Sequence, residues 1–302
     1  MKKVTILLST YNGEKYIQEQ LDSVFLQQDV EVHVVVRDDG SSDDTRYILS
    51  NYAKRDNVTI MYDTNCGAEK SFDRLCHYAL ANINSDYYAF CDQDDVWDSI
   101  KLIRAVDKLE MFNSEVPNLY FSNLKMVDDT LNPIGVFYQP DEVFINKEKA
   151  LLQVFTYGCT CVFNRKALDY YCGIENSIYH DNWIYILCVY LGNVYYDNNS
   201  YINYRQHSNN LSGRKTSGIS LIIYRLGRLF KGKFGHDFEQ MAKQLLNYRK
   251  EILPDDIQLV EHVAGYRNRF RSKCYLLFSP KYKTGNLFKD LCIIFRILIN
   301  HL

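Results

Sequence analysis

The sequence predicts an α/β fold: a mostly parallel sheet flanked by helices, followed by a helical C-terminal extension. Two observations lead to this prediction. Short apolar runs alternate with amphipathic stretches of helical spacing through residues 1–91. From about residue 219 onward the apolar spacing is helical, and several of these stretches are basic. The 302 residues, 47% of them hydrophobic and 24% charged, suffice for one large globular domain with an appendage.

The first half of the chain contains the alternating elements. Strands are predicted at residues 4–8, 32–36, 58–61 and 87–91, and helices at residues 14–27, 43–52 and 68–81. Leu21 and Val24 would lie on the apolar face of the first helix, and Ser42 or Asp43 would cap the second. A βαβαβαβ order with right-handed crossovers builds a parallel sheet, so the polar residues that follow each strand should meet at one edge.

The second half is mixed. Strands are predicted at residues 119–127, 159–163 and 195–205, and helices from near Ser99, from near Arg165 and over residues 180–191. Residues 212–218, rich in Ser, Gly and basic side chains, are the best linker candidate. We therefore expect a domain over residues 1–212 and a basic helical region over residues 213–302.

The charge is unevenly distributed. The whole chain has 35 Lys and Arg against 37 Asp and Glu, but residues 211–302 have 17 against 7. This asymmetry predicts two functional regions. The basic region could contact an anionic lipid surface or pack on the acidic front part. No nucleic-acid motif accompanies it, so no nucleic-acid partner is expected.

Nine cysteines are scattered without a CxxC pair, which is typical of reduced thiols and argues against a zinc site. Met1-Lys2-Lys3 leads directly into an apolar run, so no cleaved leader is expected, and no apolar run has the length of a membrane span. These features predict a cytoplasmic protein.

Three carboxylates follow the apolar run at residues 87–91, in the segment Asp92-Gln93-Asp94-Asp95. Adjacent carboxylates repel one another, and they are stable together mainly around a cation. Hard oxygen ligands suit Mg²⁺ or Mn²⁺, usually shared with substrate phosphates. The alternative is that Asp94 or Asp95 caps the helix beginning near Ser99.

Other polar clusters also follow predicted strands or begin helices. Asp38-Asp39 precedes Gly40-Ser41-Ser42 and could accept hydrogen bonds from a ribose or a base, or could form an ordinary turn. There is no GxGxxG and no Walker A sequence. His180-Asp181 opens an apolar helix, where Asp181 is a candidate general base or a helix cap. Arg205 and His207 follow a strand. Arg205 could pair with phosphate or with a carboxylate at the sheet edge, and His207 could contact metal or diphosphate or be structural.

Five segments in this order resemble the family-two inverting glycosyltransferases of the GT-A fold, over about residues 1–210. They are Ser9-Thr10-Tyr11-Asn12-Gly13, Arg37-Asp38-Asp39-Gly40-Ser41, Asp92-Gln93-Asp94-Asp95, His180-Asp181-Asn182-Trp183 and Tyr204-Arg205-Gln206-His207. The DQDDxW, HDxW and YRQH patterns are most similar to the bacterial rhamnosyltransferase branch.

The resemblance implies a role for each matching position. For the donor nucleotide it implies contacts with Thr10, Tyr11, Asn12, Asp38, Asp39, Asp92, Gln93 and Arg205. For the divalent cation it implies Asp94 and His207, and for the general base Asp181. For the acceptor side it implies Asp95, Trp97, His180 and Trp183, with Ser122 and Asn123 facing the donor sugar.

The function implied is Mg²⁺- or Mn²⁺-dependent inverting transfer of a sugar, with L-rhamnose from dTDP-rhamnose the first choice. The partners implied are a nucleotide-sugar donor and a glycan or lipid-linked saccharide acceptor. The implied location is the inner face of the bacterial plasma membrane, with basic residues 225–233 near the lipid. The alternatives are a UDP-hexose or UDP-galactofuranose donor and a non-catalytic sugar-nucleotide-binding or scaffold protein. A nucleotidyltransferase would need a glycine-rich basic loop that residues 9–14 lack.

Overall fold

The computed structural model describes residues 1–174, 179–207, 238–279 and 287–300. The chain divides into two compact units. The first comprises Met1–Phe144 and Phe155–Gln206, and the second comprises Ile145–Val154 and His207–Leu302. The linker predicted at residues 212–218 and the basic helix predicted from residue 219 lie outside the described residues.

The first unit is built on a single sheet. Its strands are β1 (Lys2–Thr10), β2 (Val30–Asp38), β3 (Val58–Tyr62), β4 (Tyr87–Cys91), β5 (Val96–Trp97), β6 (Asn118–Val127), β7 (Pro133–Val136), β8 (Val162–Asn164) and β9 (Asn193–Arg205). Their order across the sheet is β3-β2-β1-β4-β8-β6-β9-β5, with β7 paired to β6.

Most of these strands point the same way. Strands β1 to β4 are mutually parallel, and β9 is parallel to β6. Strand β8 is antiparallel to both β4 and β6, so β6 and β9 share the direction of β1. The predicted α/β fold with a mostly parallel sheet is therefore confirmed. The carboxyl ends of β1, β2, β4, β6 and β9 lie at one edge, where ligands bind in open α/β sheets.

Helices flank the sheet. In the first unit they are α1 (Ile17–Phe25), α2 (Thr45–Tyr52), α3 (Ala68–Asn82), α4 (Lys101–Leu109), α6 (Arg165–Cys172) and α7 (His180–Leu191), and α5 (Lys147–Ala150) belongs to the second unit. All five residues of β4 are buried, as expected of a parallel strand covered on both faces. Helix α7 is buried almost all round, which explains why its sequence has no polar face.

Two local predictions were wrong. A strand was predicted at residues 159–163, but Gly158–Thr160 forms a 3-10 turn and β8 begins only at Val162. The turn is closed by the Thr160 N–H bonding the Tyr157 carbonyl at 2.9 Å. The alternative in which Asp94 or Asp95 caps a helix near Ser99 also fails, because β5 intervenes and α4 begins at Lys101.

The described part of the second unit is helical. Besides α5 it contains α8 (Phe238–Leu245), α9 (Pro254–Gly265), α10 (Phe270–Phe278) and α11 (Leu287–Leu298). Lys147 pairs with Asp256 at 2.9 Å, which ties α5 to α9. The buried Glu239 carboxylate pairs with Lys243 at 2.7 Å and Arg267 at 2.6 Å. Within the four described ranges, no helix is both long enough and apolar enough to span a bilayer.

Candidate active site

The acidic loop Asp92-Gln93-Asp94-Asp95 leaves β4 at the carboxyl edge of the sheet. Asp92 and Asp94 are half-buried, whereas Asp95 is 1% exposed. The backbone N–H of Arg205 donates to Asp95 Oδ1 at 3.0 Å, and Arg205 Nε donates to the Asp94 carbonyl at 2.9 Å. The end of β9 therefore holds the acidic loop in place.

Arg205 is a structural tie in this conformation, and not the exposed phosphate contact that was expected. Its side chain is 2% exposed. One terminal nitrogen donates to the Asp129 carbonyl, and the other pairs with Glu19 Oε2 at 2.5 Å. The guanidinium also lies 4.7 Å from the ring centre of Tyr16. Because these groups already bind the guanidinium, the geometry does not support the expectation that Arg205 binds the donor.

Two of the acids meet a cysteine. Asp92, Asp95 and Cys159 each present one ligating atom, and the three atoms lie within 4.8 Å of one another. Asp95 Oδ2 is buried and has no hydrogen-bond partner among the described residues. Burial, together with the charges of Asp94 and Asp181, raises the pKa of Asp92 to about 7. Burial and the charges of Asp94 and Asp92 raise the pKa of Asp95 well above its usual range.

Such a cluster fits a divalent cation, because carboxylates that resist ionising together gain from a positive charge between them. The carboxylate oxygens of Asp92 and Asp95 are suitable ligands for Mg²⁺ or Mn²⁺. The Cys159 thiol is not, because it is soft and burial raises its pKa well above the usual range. Asp94, the predicted ligand, is outside this cluster of three but acts electrostatically on both acids. His207 belongs to the second unit, and its metal role stays a prediction.

Sequence reasoning missed Lys101, which lies behind the acids at the start of α4. It is 1% exposed, its Nζ has no hydrogen-bond partner in the described ranges, and it lies 3.7 Å from the ring centre of Trp97. Burial lowers the pKa of Lys101 to about 8, opposed by nearby groups that include Cys159 and Asp95. A lysine in the first turn of a helix is unfavourable for the helix dipole, and this was a signal the sequence did carry.

Asp181 lies in the first turn of α7, half-buried. Burial raises the pKa of Asp181 to about 6, with a contribution from the charge of Glu69, while N–H groups of Asn182 and Gly158 oppose the rise. The Asn182 N–H donates to Asp181 Oδ1 at 2.8 Å. Because the charge of Asp181 also contributes to the raised pKa of Asp92, the two carboxyls belong to the same electrostatic site.

His180 packs beneath this site. Its ring stacks on Phe72, with centroids 3.9 Å apart, and meets Phe90 edge-on at 4.6 Å. Burial lowers the pKa of His180 to about 3, so the ring is neutral. Gly158 faces the ring so closely that a Cβ would lie 2.6 Å from His180 Nε2. Only glycine fits there without moving the imidazole.

The expected acceptor contacts are placed in the core. Trp183 has no exposed surface, Trp97 is 3% exposed, and His180 is 9% exposed. Asp95 is equally inaccessible. None of these side chains reaches an acceptor without rearrangement, because each is covered by neighbouring strands and helices. The sequence pattern around these residues does not distinguish side chains that line a cleft from side chains that fill the interior.

The loop after β1 is fastened to the acidic loop by Gln93. Thr10 Oγ1 donates to Gln93 Oε1 at 2.6 Å, the Tyr11 N–H donates to the same oxygen at 2.8 Å, and Gln93 Nε2 returns a bond to the Tyr11 carbonyl at 3.2 Å. A Cβ on Gly13 would lie 2.5 Å from Gln93 Oε1, so this approach requires glycine. The Tyr11 side chain remains accessible, and the residue is 48% exposed.

Asn12 joins the same loop to the turn after β2. It has a positive φ of 49°, which asparagine tolerates better than most residues. Its N–H donates to Ser41 Oγ at 2.9 Å, and its Oδ1 accepts from the Ser42 N–H at 2.9 Å. The ends of β1, β2 and β4 are thus connected by side chains, as their common edge required.

Asp38 and Asp39 are buried and already hydrogen-bonded. Asp38 accepts from Arg46 at 2.6 Å. Asp39 accepts from Arg37 at 2.5 Å and from the N–H groups of Cys66 at 2.8 Å and Gly67 at 2.9 Å. Burial disfavours the charged form of Asp39, but these donors outweigh it and lower its pKa. Sequence reasoning missed these partners, which come from β2, α2 and the loop before α3.

Ser122 and Asn123 do not face an open cleft. Both are buried, and the Asn123 amide binds the backbone of Tyr138, donating to its carbonyl at 2.8 Å and accepting from its N–H at 3.0 Å. Asn123 thereby attaches the segment after β7 to β6, and the Ser122 hydroxyl donates to the Asn123 carbonyl at 2.9 Å. The expectation that they contact the donor sugar finds no support in this arrangement.

Comparison with known proteins agrees with this fold. Residues 5–172 match the model of the glycosyl transferase family 2. The chain is 30% identical over 230 residues to the dTDP-rhamnosyl transferase RfbG of Shigella flexneri, covering 70% of this chain and 75% of that protein. It is 25% identical over 215 residues to the glycosyltransferase RT0329 of Rickettsia typhi, covering 68% of this chain and 64% of that protein.

Solved structures are similar in fold. S. aureus TarS 1–349 in complex with UDP-GlcNAc has a TM-score of 0.54 at 17% identity, covering 100% of this chain and 91% of that chain. The mannosyltransferase PcManGT from Pyrobaculum calidifontis, in complex with GDP-Man and Mn²⁺, has a TM-score of 0.52 at 14% identity, covering 99% and 87%. On the family match and the rhamnosyltransferase relative together, this chain belongs to the family-two glycosyltransferases and has the GT-A fold.

Proposed function

We propose that this glycosyltransferase moves a sugar from a nucleoside diphosphate donor to a hydroxyl of a surface polysaccharide precursor, with inversion at the anomeric carbon. The proposed donor is dTDP-L-rhamnose. Two features support this choice: the Shigella flexneri relative is named as a dTDP-rhamnosyl transferase, and the DQDDVW, HDNW and YRQH segments are present in this chain.

The observation that carries the proposal is that the carboxyl groups of Asp92 and Asp181 interact electrostatically. They lie in segments far apart in sequence, yet the charge of Asp181 contributes to the raised pKa of Asp92. One carboxylate cluster and one separate carboxylate therefore share an electrostatic site. A displacement needs both kinds of group: one stabilises the charge that develops on the leaving group, and the other removes the proton of the nucleophile.

In the proposed reaction, Asp181 accepts the proton of the acceptor hydroxyl as its oxygen forms a bond to the anomeric carbon. The bond between that carbon and the diphosphate oxygen breaks, and the nucleoside diphosphate leaves from the opposite face. A pKa of about 6 suits a base that must be ionised near neutral pH yet still bind a proton during attack. The single displacement requires no covalent intermediate.

The proposed cation ligands are Asp92 and Asp94. A bound Mg²⁺ or Mn²⁺ would supply Lewis-acid stabilisation of the diphosphate that leaves. The raised pKa values of Asp92 and Asp95 support a cation here, because the acids repel one another without it. The Mn²⁺ in the name of the PcManGT complex supports the same class of ion.

Thr10, Tyr11 and Asn12 are proposed to form the nucleotide side. The exposed Tyr11 ring is suited to packing on a base or ribose. Asp39 is proposed to accept a base N–H, because a carboxylate has about four acceptor positions and Arg37, Cys66 and Gly67 donate to three of them. Gln93 is proposed to act indirectly, by holding the Tyr11 backbone in position.

The deciding experiment is a donor panel on the purified chain. Protection against thermal unfolding is measured with dTDP-rhamnose, UDP-glucose, UDP-galactofuranose and a GDP-sugar, with and without Mn²⁺. The proposal expects metal-dependent protection that is greatest with dTDP-rhamnose, together with slow donor hydrolysis. Greater protection by a UDP-sugar would indicate that the enzyme catalyses the same reaction with a different donor. Binding without hydrolysis or transfer to any saccharide-lipid acceptor would favour a non-catalytic protein.

A further inference from the structure

Helix α10 of the second unit presents apolar side chains to solvent. Phe270 is 82% exposed and Phe278 is 79% exposed. Half-buried Cys274 and Leu277 lie on the same side, because residues four, seven and eight positions apart share one face of a helix. Isolated exposed apolar residues are ordinary, but two almost fully exposed phenylalanines on one short helix face are not.

The opposite face of α10 is the one that packs. Ser272 and Leu276 are buried, and Ser272 Oγ lies 3.1 Å from His262 Nδ1. The His262 ring stacks on Tyr275 with centroids 4.0 Å apart. These contacts attach α10 to α9 and determine which side chains remain outside. The exposure of Phe270 and Phe278 is therefore a consequence of the packing and not of a loosely placed helix.

The charged residues along the segment that contains this helix all have one sign. Residues 263–288 contain six Lys and Arg and no Asp or Glu. Arg269 and Arg271 are exposed and form no ion pair with any residue in the described ranges, whereas Arg267 is paired with Glu239. The nearest acid on α9, Glu261, is paired with Arg249. We call Phe270, Cys274, Leu277 and Phe278, with Arg269 and Arg271, the basic apolar face.

We propose that the basic apolar face docks on an anionic lipid surface, with α10 lying in the plane of the membrane interface. A helix whose exposed apolar side chains are bordered by cations is suited to this position: the rings enter the acyl boundary and the guanidinium groups meet lipid phosphates. The inference does not depend on which sugar the first unit transfers.

A second copy of this chain is the main competing occupant. The charge distribution argues against it, because self-association through the basic apolar face would bring Arg269 and Arg271 against the same residues of the other copy. Like charges placed across an interface are unfavourable. An anionic surface instead complements every exposed charge on the face.

The test is co-sedimentation of the full chain with vesicles of phosphatidylcholine alone and of phosphatidylcholine with phosphatidylglycerol. Wild type is expected to bind the anionic vesicles preferentially. Phe270→Ser with Phe278→Ser, and Arg269→Gln with Arg271→Gln, should each weaken binding, by about fivefold for each cation removed. The control is Lys54→Gln with Lys250→Gln, which removes the same charge from exposed positions elsewhere.

Circular dichroism and the thermal midpoint should be unchanged in the phenylalanine, arginine and lysine variants above, since every side chain substituted in them is exposed. The proposal is overturned if wild type binds neutral and anionic vesicles equally. It is also overturned if only a third variant, with residues 225, 228, 231 and 233 neutralised, loses binding. A change in oligomeric state on Phe270→Ser with Phe278→Ser, with vesicle binding intact, would assign the face to a second copy instead.

Discussion

The backbone N–H of Arg205 donates a hydrogen bond to Asp95 Oδ1 at 3.0 Å, across 110 positions of sequence. The same residue donates from Nε to the Asp94 carbonyl at 2.9 Å. A residue at the end of β9 therefore fixes the conformation of a loop at the end of β4. The acidic loop does not depend on its own sequence alone for its shape, and four consequences of this and neighbouring contacts can be measured.

Arg205→Lys should destabilise the protein although it keeps the charge. A lysine nitrogen cannot reach the Asp94 carbonyl, the Asp129 carbonyl and Glu19 together, so partly buried acceptors lose their donor. We expect the free energy of unfolding in urea to fall by about 2–4 kcal/mol.

The matched control for this variant is Arg74→Lys. Arg74 is 46% exposed and pairs with Asp63, and exposed pairs contribute less than about 1 kcal/mol. Equal stability of the two variants would show that Arg205 does not tie the loop.

Asp181 should produce an acid limb in the pH dependence of kcat/KM. The reaction needs the carboxylate, and the pKa of Asp181 is raised to about 6, so kcat/KM should fall as the pH decreases below about 6. Asp181→Asn should bind donor normally but lose about two to four orders of magnitude in transfer.

Glu69→Gln tests the cause of that limb. The charge of Glu69 contributes to the raised pKa of Asp181, so its removal should move the limb to lower pH while leaving the rate at higher pH almost unchanged. A limb that stays in place in Glu69→Gln, or transfer that survives in Asp181→Asn, would exclude Asp181 as the base.

Three asparagine variants distinguish which acids bind the cation. If Asp92 and Asp94 are the ligands, Asp92→Asn and Asp94→Asn should each weaken Mn²⁺ binding, measured by titration calorimetry, by at least about tenfold. Asp95→Asn should bind Mn²⁺ like wild type, because the pKa of Asp95 is raised well above its usual range and its Oδ1 already accepts from Arg205. A loss confined to Asp92→Asn and Asp95→Asn would instead place the ion beside Cys159.

Lys101 should make the free energy of unfolding depend on pH in the alkaline range. Burial lowers the pKa of Lys101 from 10.5 to about 8, so between these values the unfolded chain binds more protons than the folded one. The free energy of unfolding contributed by this group therefore increases with pH across that window, and the cost of the buried ammonium is greatest below pH 8.

Lys101→Met removes this cost. The variant should be more stable than wild type at pH 7, by about 2–3 kcal/mol, and the difference should shrink as the pH approaches 10.5. Exposed Lys54→Met serves as the control and should follow wild type at every pH in urea unfolding. A constant difference between Lys101→Met and wild type across the range would contradict the assignment.

Much of the first unit was predictable from residue patterns. Strands β1 to β4 and the buried helix α7 have strong apolar signals, and their order implies parallel pairing and a shared carboxyl edge. The placement of Thr10, Asp38 and Asp92 at that edge follows from the strand order alone. The prediction of a strand at residues 159–163 was wrong because the apolar residues there are compatible with a strand and with a 3-10 turn. Only the hydrogen bond that closes the turn distinguishes these two structures.

The accessibility of individual site residues was not predictable. Arg205, His180 and Trp183 were expected to contact ligands, and all three are buried. A residue's exposure depends on which distant elements cover it, and a single sequence does not state those contacts. Lys101 was overlooked for the same reason, because its neighbours Asp95 and Cys159 come from different loops.

Local composition and spacing thus determined the order and direction of the strands and the chemical type of the groups at their ends, because hydrophobic periodicity acts over a few residues. The tertiary structure decided which carboxylates are desolvated, which are neutralised, and which arginine lies in the interior. Burial and electrostatic interaction depend on distance in space, and here the loop after β4 meets the end of β9 across 110 positions of the chain.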